Sequence, residues 1–174
     1  IKKMSNKNLQ NIKIKIDGKT IEFHVIKQQT EGLVAKHGKY TYSGAYKKSL
    51  ANGNGTLCKD NKKYLEGTWK NGSLVNGKKY NEKKEGEIEY QGTFKDGLYD
   101  GTGILIWDPF FEEKYEGSFK HGKKNGVGKL YYYDKGKWNL DFEGNFKNDK
   151  KYGFGKEYIE YGNEMRPLYI GEFR

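Results

Sequence analysis

A six-residue segment returns six times along the 174-residue chain, and this recurrence restricts the fold more than any other feature of the sequence. It reads aromatic, any residue, Gly, any residue, aromatic, basic. Five copies keep the pattern: Tyr42–Lys47, Tyr90–Lys95, Tyr115–Lys120, Phe142–Lys147 and Tyr169–Arg174. The copy Leu65–Lys70 has Leu in the first aromatic slot, with Tyr64 beside it. The anchor glycines 44, 67, 92, 117, 144 and 171 follow at intervals of 23, 25, 25, 27 and 27 residues. A Gly-x-Gly pair lies nine and eleven residues after four of them: Gly53/Gly55, Gly101/Gly103, Gly126/Gly128 and Gly153/Gly155. A fixed period of roughly 20–50 residues is the mark of a chain built from stacked supersecondary units.

Strand alternation explains one unit. In Tyr115–Lys120, Tyr115, Gly117 and Phe119 share one face, and Glu116, Ser118 and Lys120 the other. Lys120-His121-Gly122-Lys123 makes the turn, and Gly126-Val127-Gly128-Lys129-Leu130 returns as the second strand. One such hairpin is marginal alone, so stacked neighbours are expected to pair edges and lay one unit's rings over the next unit's glycines. The predicted fold is all-β: an elongated, twisted, single-layer antiparallel ribbon with an aromatic ladder on one face. Composition agrees. Tyr 15, Phe 9 and Trp 3 make 16% of the chain, with Gly 24 and Pro 2, the residues that short strands and tight turns use. With 34% hydrophobic residues, the apolar groups are expected to be rings spread along the chain, not a dense aliphatic core.

Residues 1–41 differ and are read as a capping segment ahead of the repeats at 42–174. Ile12–Ile16, Asp17-Gly18 and Thr20–Val25 form a hairpin with an Asp-Gly turn, expected to cover the open edge of the first repeat. Gly38–Tyr42 is read as the tail of a degenerate earlier unit, and Trp107-Asp108-Pro109-Phe110-Phe111 as a turn with exposed rings.

The repeats resemble the MORN family, whose unit reads roughly Tyr-Glu-Gly-x-Trp/Phe-x-x-Gly-x-x-x-Gly-x-Gly. The resemblance covers 42–174. Repeat two departs at Asn76-Gly77-Lys78, repeat five has Asp149 where a turn Gly is usual, and repeat six is cut off. It implies a MORN solenoid acting as a protein-interaction or scaffold module. Similar repeats occur in ciliary radial-spoke components, protist cytoskeletal scaffolds and membrane-junction proteins. Relatives such as plant phosphoinositide kinases suggest recruitment to anionic lipid as an alternative. Some SET-domain lysine methyltransferases also carry such repeats, so an accessory region of a larger enzyme is a further alternative.

No catalytic or cofactor-binding constellation is found. The Gly-x-Gly pairs are not followed by the Gly-Lys-Ser/Thr of a phosphate loop. His24, His37 and His121 have no Cys or carboxylate at ligand spacing, so no metal site is expected, and nothing places a base beside Cys58. Glu85, Glu87 and Glu89 read as one solvated strand face. The chain is expected to be non-catalytic and to need no cofactor.

Two recurring surfaces are candidate sites. The aromatic face comprises Tyr42, Tyr46, Trp69, Tyr90, Phe94, Tyr115, Phe119, Phe142 and Phe146. One layer has nothing to bury all of these, so they either line a groove for a peptide or helix or pack on one another. The second is a basic column, Lys47, Lys70, Lys95, Lys120, Lys147 and Arg174. It either lies on anionic lipid or is a solubilising stripe balanced by Glu66, Glu116 and Glu143. The net charge of +10 is compatible with either. Self-association through the repeat ends is a further expectation, and nucleic acid is the least favoured partner, since no reading helix is apparent. A sole cysteine points to an intracellular, cytoplasmic setting, and the resemblance implies one of a cytoskeletal or ciliary kind. No signal peptide is visible, the sequons at Asn54 and Asn71 are chance matches, and the chain reads as part of something longer.

Overall fold

The computed structural model describes residues 9–107, 113–162 and 164–174. Its regular structure consists of fourteen strands, with no helix among the described residues. They are β1 (Asn11–Ile16), β2 (Lys19–Gln29), β3 (Gly32–His37), β4 (Tyr40–Lys47), β5 (Leu50–Lys59), β6 (Lys62–Lys70) and β7 (Ser73–Tyr80), followed by β8 (Ile88–Lys95), β9 (Leu98–Trp107), β10 (Glu113–Lys120), β11 (Lys123–Asp134), β12 (Lys137–Lys147), β13 (Lys150–Tyr161) and β14 (Glu164–Phe173). The chain forms two compact units. One runs to Glu87 and includes Phe94–Gly97; the other joins Ile88–Thr93 to Leu98–Arg174. In each, successive strands are antiparallel neighbours in chain order, as an array of hairpins requires. The turn expected at Trp107–Phe111 lies, beyond the backbone of Trp107, outside the described residues.

Each repeat turns tightly. Asn71-Gly72, Asp96-Gly97 and His121-Gly122 have positive φ at both residues, the geometry whose twist matches that of paired strands. Repeat five keeps this turn without glycine, with Asn148 at φ 49° and Asp149 at φ 72°. Two bonds hold Asp149 there: its Oδ1 accepts from the Lys124 N–H at 2.8 Å, and its own N–H donates to the Lys124 carbonyl at 3.0 Å.

The two glycines of each Gly-x-Gly pair serve different needs. Gly126 has φ 103° and sits in a break of register between Gly117 and Phe119 on the partner strand, a bulge only a residue free of Cβ strain tolerates well. Gly128 lies opposite Gly117 and has no positive φ; its need is space, because the Tyr115 ring lies directly over it. Rings therefore cover glycines of their own hairpin, and not of the next unit as expected. Tyr42 lies over Gly44 and Gly55, Tyr90 over Gly92 and Gly103, and Phe142 over Gly144 and Gly155. Two facing residues without Cβ leave a trough, and the ring fills it. Repeat two keeps the facing glycines at altered spacing: its bulge is shorter, Gly77 stands opposite Gly67, and Leu65 stands in place of the first ring.

The amino-terminal hairpin departs from its expected role. The edge of the first repeat, β4, is already paired with β3. β1 instead folds back across the hairpin tips. Its Lys13 N–H donates to the Ser49 carbonyl at 2.9 Å and its Lys15 N–H to the Gly72 carbonyl at 2.7 Å, while Lys15 Nζ reaches Asp96 at 2.7 Å. Ile12, Ile14 and Ile16 are buried, as are Phe23, Leu33, Ala35, Ala51, Leu57 and Leu74. The first unit thus has an aliphatic core, contrary to the expectation of dispersed rings alone.

Candidate functional site

Eight of the nine rings read as a partner groove are buried: Tyr42, Trp69, Tyr90, Phe94, Tyr115, Phe119, Phe142 and Phe146. Only Tyr46 reaches solvent, at 36% exposure. In the second unit the rings form a zigzag from Tyr90 to Phe119, Tyr115, Phe146, Phe142, Phe173 and Tyr169. Centroids are 4.9–5.2 Å apart and planes 81–89° apart at each step. This edge-to-face geometry places the positive edge of one ring on the negative face of the next, worth about 0.5–1.5 kcal/mol per pair beyond area burial. The glycine troughs sink the rings, and Lys124 and Lys151 lie over Tyr115 and Phe142. A single layer thereby buries these eight rings.

The tyrosines of the first slot are also fixed at their polar end. The hydroxyls of Tyr42, Tyr90, Tyr115 and Tyr169 each donate to the carbonyl three residues on, at 2.8–3.1 Å. Burial raises the Tyr115 pKa to about 12 and moves those of Tyr42 and Tyr90 higher still.

The basic column is exposed along its length. Lys47, Lys70 and Lys120 make no ion pair among the described residues, Lys95 lies within electrostatic reach of Asp96, and Lys147 lies over the Tyr152 ring at 4.8 Å. Lys47, Lys48, Lys70 and Asn71 border an opening of about 550 Å³ beside Trp69. The acids expected to balance the column are engaged elsewhere. Glu66 accepts from Tyr80 at 2.5 Å and pairs with Lys63; Glu116 accepts from Tyr131 and pairs with Lys114; Glu143 accepts from Tyr158 at 2.7 Å and pairs with Lys129 and Lys156. These bonds hold the carboxyls of Glu66 and Glu143 below the usual range, the tyrosine hydroxyl being the first cause in both. Sequence reasoning missed this thrice-repeated tyrosine–glutamate clasp. Its signal was Tyr80, Tyr131 and Tyr158, each fourteen or fifteen residues after its glutamate.

The clasps lie on the face turned away from the rings. There, in the second unit, Glu116, Val127, Lys129, Glu143, Phe154 and Lys156 line an open groove of about 500 Å³. Val127 and Phe154 are 67% and 56% exposed, and Ile104, Ile106 and Ile170 are exposed as well. Val127 and Phe154 are the middle residues of Gly-x-Gly pairs, positions first read only for their glycines.

Residues considered for chemistry are scattered. No group of three or more His, Cys, Asp or Glu fit to hold a metal exists among the described residues. Burial raises the Cys58 thiol pKa, which disfavours the reactive thiolate. Glu85 and Glu87 lie in the loop before β8 and not on the expected strand; Glu89 lies in β8 and accepts from the Tyr99 hydroxyl at 2.6 Å. No helix among the described residues is long and apolar enough to cross a membrane.

The MORN repeat model matches residues 42–62, 90–109, 115–137 and 142–160. These stretches hold four of the six copies; those at 65–70 and 169–174 lie outside them. A comparison with curated proteins gives no match. With recurring glycine troughs, rings and tight turns at the matched places, this chain belongs to the MORN-repeat family, whose units are modules of protein or membrane interaction.

Proposed function

We propose that this chain is a non-catalytic interaction module that holds a partner protein on the face opposite its rings, as part of a larger assembly of the cytoskeletal or ciliary kind. The supporting observation is the groove of the second unit, where Val127 and Phe154 stand exposed. Single exposed apolar residues are ordinary. Val127 and Phe154 here share a face with Ile104, Ile106 and Ile170, on strands stiffened by the ladder beneath, and a patch of this kind rimmed by charge favours a protein partner. A photo-reactive phenylalanine analogue placed at Val127 or Phe154 should cross-link to protein, whereas one at Lys124, above the rings, should not. Adducts from Lys124 alone would move the partner to the other face, and no adduct at any position would end the reading.

A second reading is attachment to an anionic surface through the basic column, favoured by Lys47, Lys70 and Lys120, which make no ion pair among the described residues. Each lysine near such a surface contributes about 1 kcal/mol. Flotation with phosphatidylserine vesicles should then show binding that weakens with salt and is lost in a Lys47→Glu, Lys70→Glu, Lys120→Glu triple variant. Binding unaffected by the three changes would exclude the column.

A further inference from the structure

We infer that the groove of the second unit takes a second copy of this chain, docked face to face about a two-fold axis parallel to the strands. This rests on the reading of that face as a protein-binding surface and names its occupant. Register defines one row of side chains across six strands: Ile104 opposite Glu116, Glu116 opposite Lys129, Lys129 opposite Glu143, Glu143 opposite Lys156, and Lys156 opposite Ile170. Directly opposed residues share a face, so the row reads Ile, Glu, Lys, Glu, Lys, Ile.

A two-fold axis lays a surface on its own reverse, and this row complements its reverse at every place. Glu116 meets Lys156, Lys129 meets Glu143, and each pair occurs twice; Ile104 meets Ile170 at both ends. The axis falls between β11 and β12. Two residues along each strand, on the same face, the same operation sets the prominent Phe154 of β13 over the small Ser118 of β10 in the other copy. It sets Val127 of β11 over Asn145 of β12. The first unit offers no equivalent: its row, Ser43, Thr56, Glu66 and Lys78, places Ser on Lys and Thr on Glu when reversed.

Strands about 4.8 Å apart put Glu116 and Lys156 roughly 14 Å from each other along the row, so within one chain they do not pair with each other; Glu116 pairs there with Lys114 and Lys156 with Glu143. Twisted sheets packed face to face cross at about 30° and lie about 10 Å apart, which concentrates contact on β10 to β13. The patch is small beside a standard interface of about 1,600 Å², so the dimer is weak and reversible. Exposed ion pairs set register and exclude wrong alignments more than they supply tightness. The net charge of +10 opposes association, but at physiological salt its field is screened beyond about 8 Å, while paired groups in the contact are closer than that.

Charge exchange tests the dimer. Sedimentation velocity of the whole chain in about 150 mM salt, over about 5–500 µM, should show a reversible monomer–dimer equilibrium. Glu116→Lys and Lys156→Glu should each weaken it about tenfold or more, because symmetry creates two like-charge contacts. The pair together should return it to within about threefold of the wild type. Lys156→Glu is the sharper single change: it lowers the net charge from +10 to +8, which would strengthen association if overall repulsion alone governed it. Phe154→Asp should abolish the dimer with the strand circular dichroism intact. A chain monomeric throughout, or a double variant no better than the singles, overturns the inference. A monomer that still cross-links to another protein through Val127 would remove the second copy and leave the protein-binding reading standing; a monomer with no adduct would remove both.

Discussion

At the scale of single residues, the second glycine of each Gly-x-Gly pair answers a steric need alone. A Cβ on Gly155 would lie 2.5 Å from Cζ and 2.6 Å from Cε2 of Phe142, and Gly155 has no positive φ to add strain. Gly155→Ala should therefore cost about 1–3 kcal/mol by overpacking alone. In a Phe142→Ala background, most of that increment should vanish, a coupling that a double-mutant cycle of thermal or urea unfolding would measure. Equal cost in both backgrounds would show that the ring is not what the glycine accommodates. Turn residues give a second contrast. Ser49 (φ 60°) and Asp149 (φ 72°) both adopt the left-handed conformation, which disfavours a side chain by about 1 kcal/mol. Ser49→Gly should stabilise the chain by about that amount, since its carbonyl bond to Lys13 survives. Asp149→Gly should be near neutral, because it also loses the Lys124 bond, worth about 1 kcal/mol. Unfolding midpoints of the two variants decide the matter.

At the scale of elements, β1 ties two repeats together by backbone bonds to Ser49 and Gly72 and by three buried isoleucines. Ile14→Ala should cost about 2–4 kcal/mol. Hydrogen exchange at the Lys13 and Lys15 amides should then rise together with that of Gly72, which donates to the Ala51 carbonyl at 2.9 Å. Independent exchange of β1 would mean that it merely rests on the tips. These elements also mark what sequence could and could not reveal. The hairpins were legible because Gly117, Phe119, His121 and Gly122 report local needs: a trough, a ring, a turn. The alternation of Ile12, Ile14 and Ile16 likewise announced a strand. Its destination was not legible, because partners at Ser49 and Gly72 are long-range and carry no signature in Asn71-Gly72 or Lys48-Ser49. The burial of the rings was not legible for a related reason. An aromatic residue reads as exposed or buried only once the depth of its seat is known, and that depth comes from glycines on two strands at once. Val127 and Phe154 lie between those glycines, and nothing in that setting announces their exposure.

At the scale of the whole molecule, the same buried rings set the pH range over which the fold persists. In the unfolded chain every tyrosine ionises near pH 10. In the folded chain burial keeps the Tyr115 hydroxyl neutral up to about 12, the bond to Glu66 does so for Tyr80, also up to about 12, and burial carries Tyr42, Tyr64 and Tyr90 higher. A folded pKa raised above the unfolded one contributes stability that is complete below the unfolded value and lost as pH rises through the folded one. Stability should therefore decline from about pH 10 upward. The acid limb has the opposite sign: Glu66 and Glu143, held low by Tyr80 and Tyr158, contribute above the ordinary carboxylate range, and that contribution is lost as pH falls through their depressed values. The alkaline limb should be the steeper, because five buried or clasped tyrosines act together there against two partly exposed glutamates. Parallel titrations of phenolate absorbance and strand circular dichroism would show it: most phenolate should appear only as the strand signal disappears. Complete ionisation near pH 10 with the strands intact would mean that the rings are open to water, and with that the troughs would lose their role as the interior of this fold.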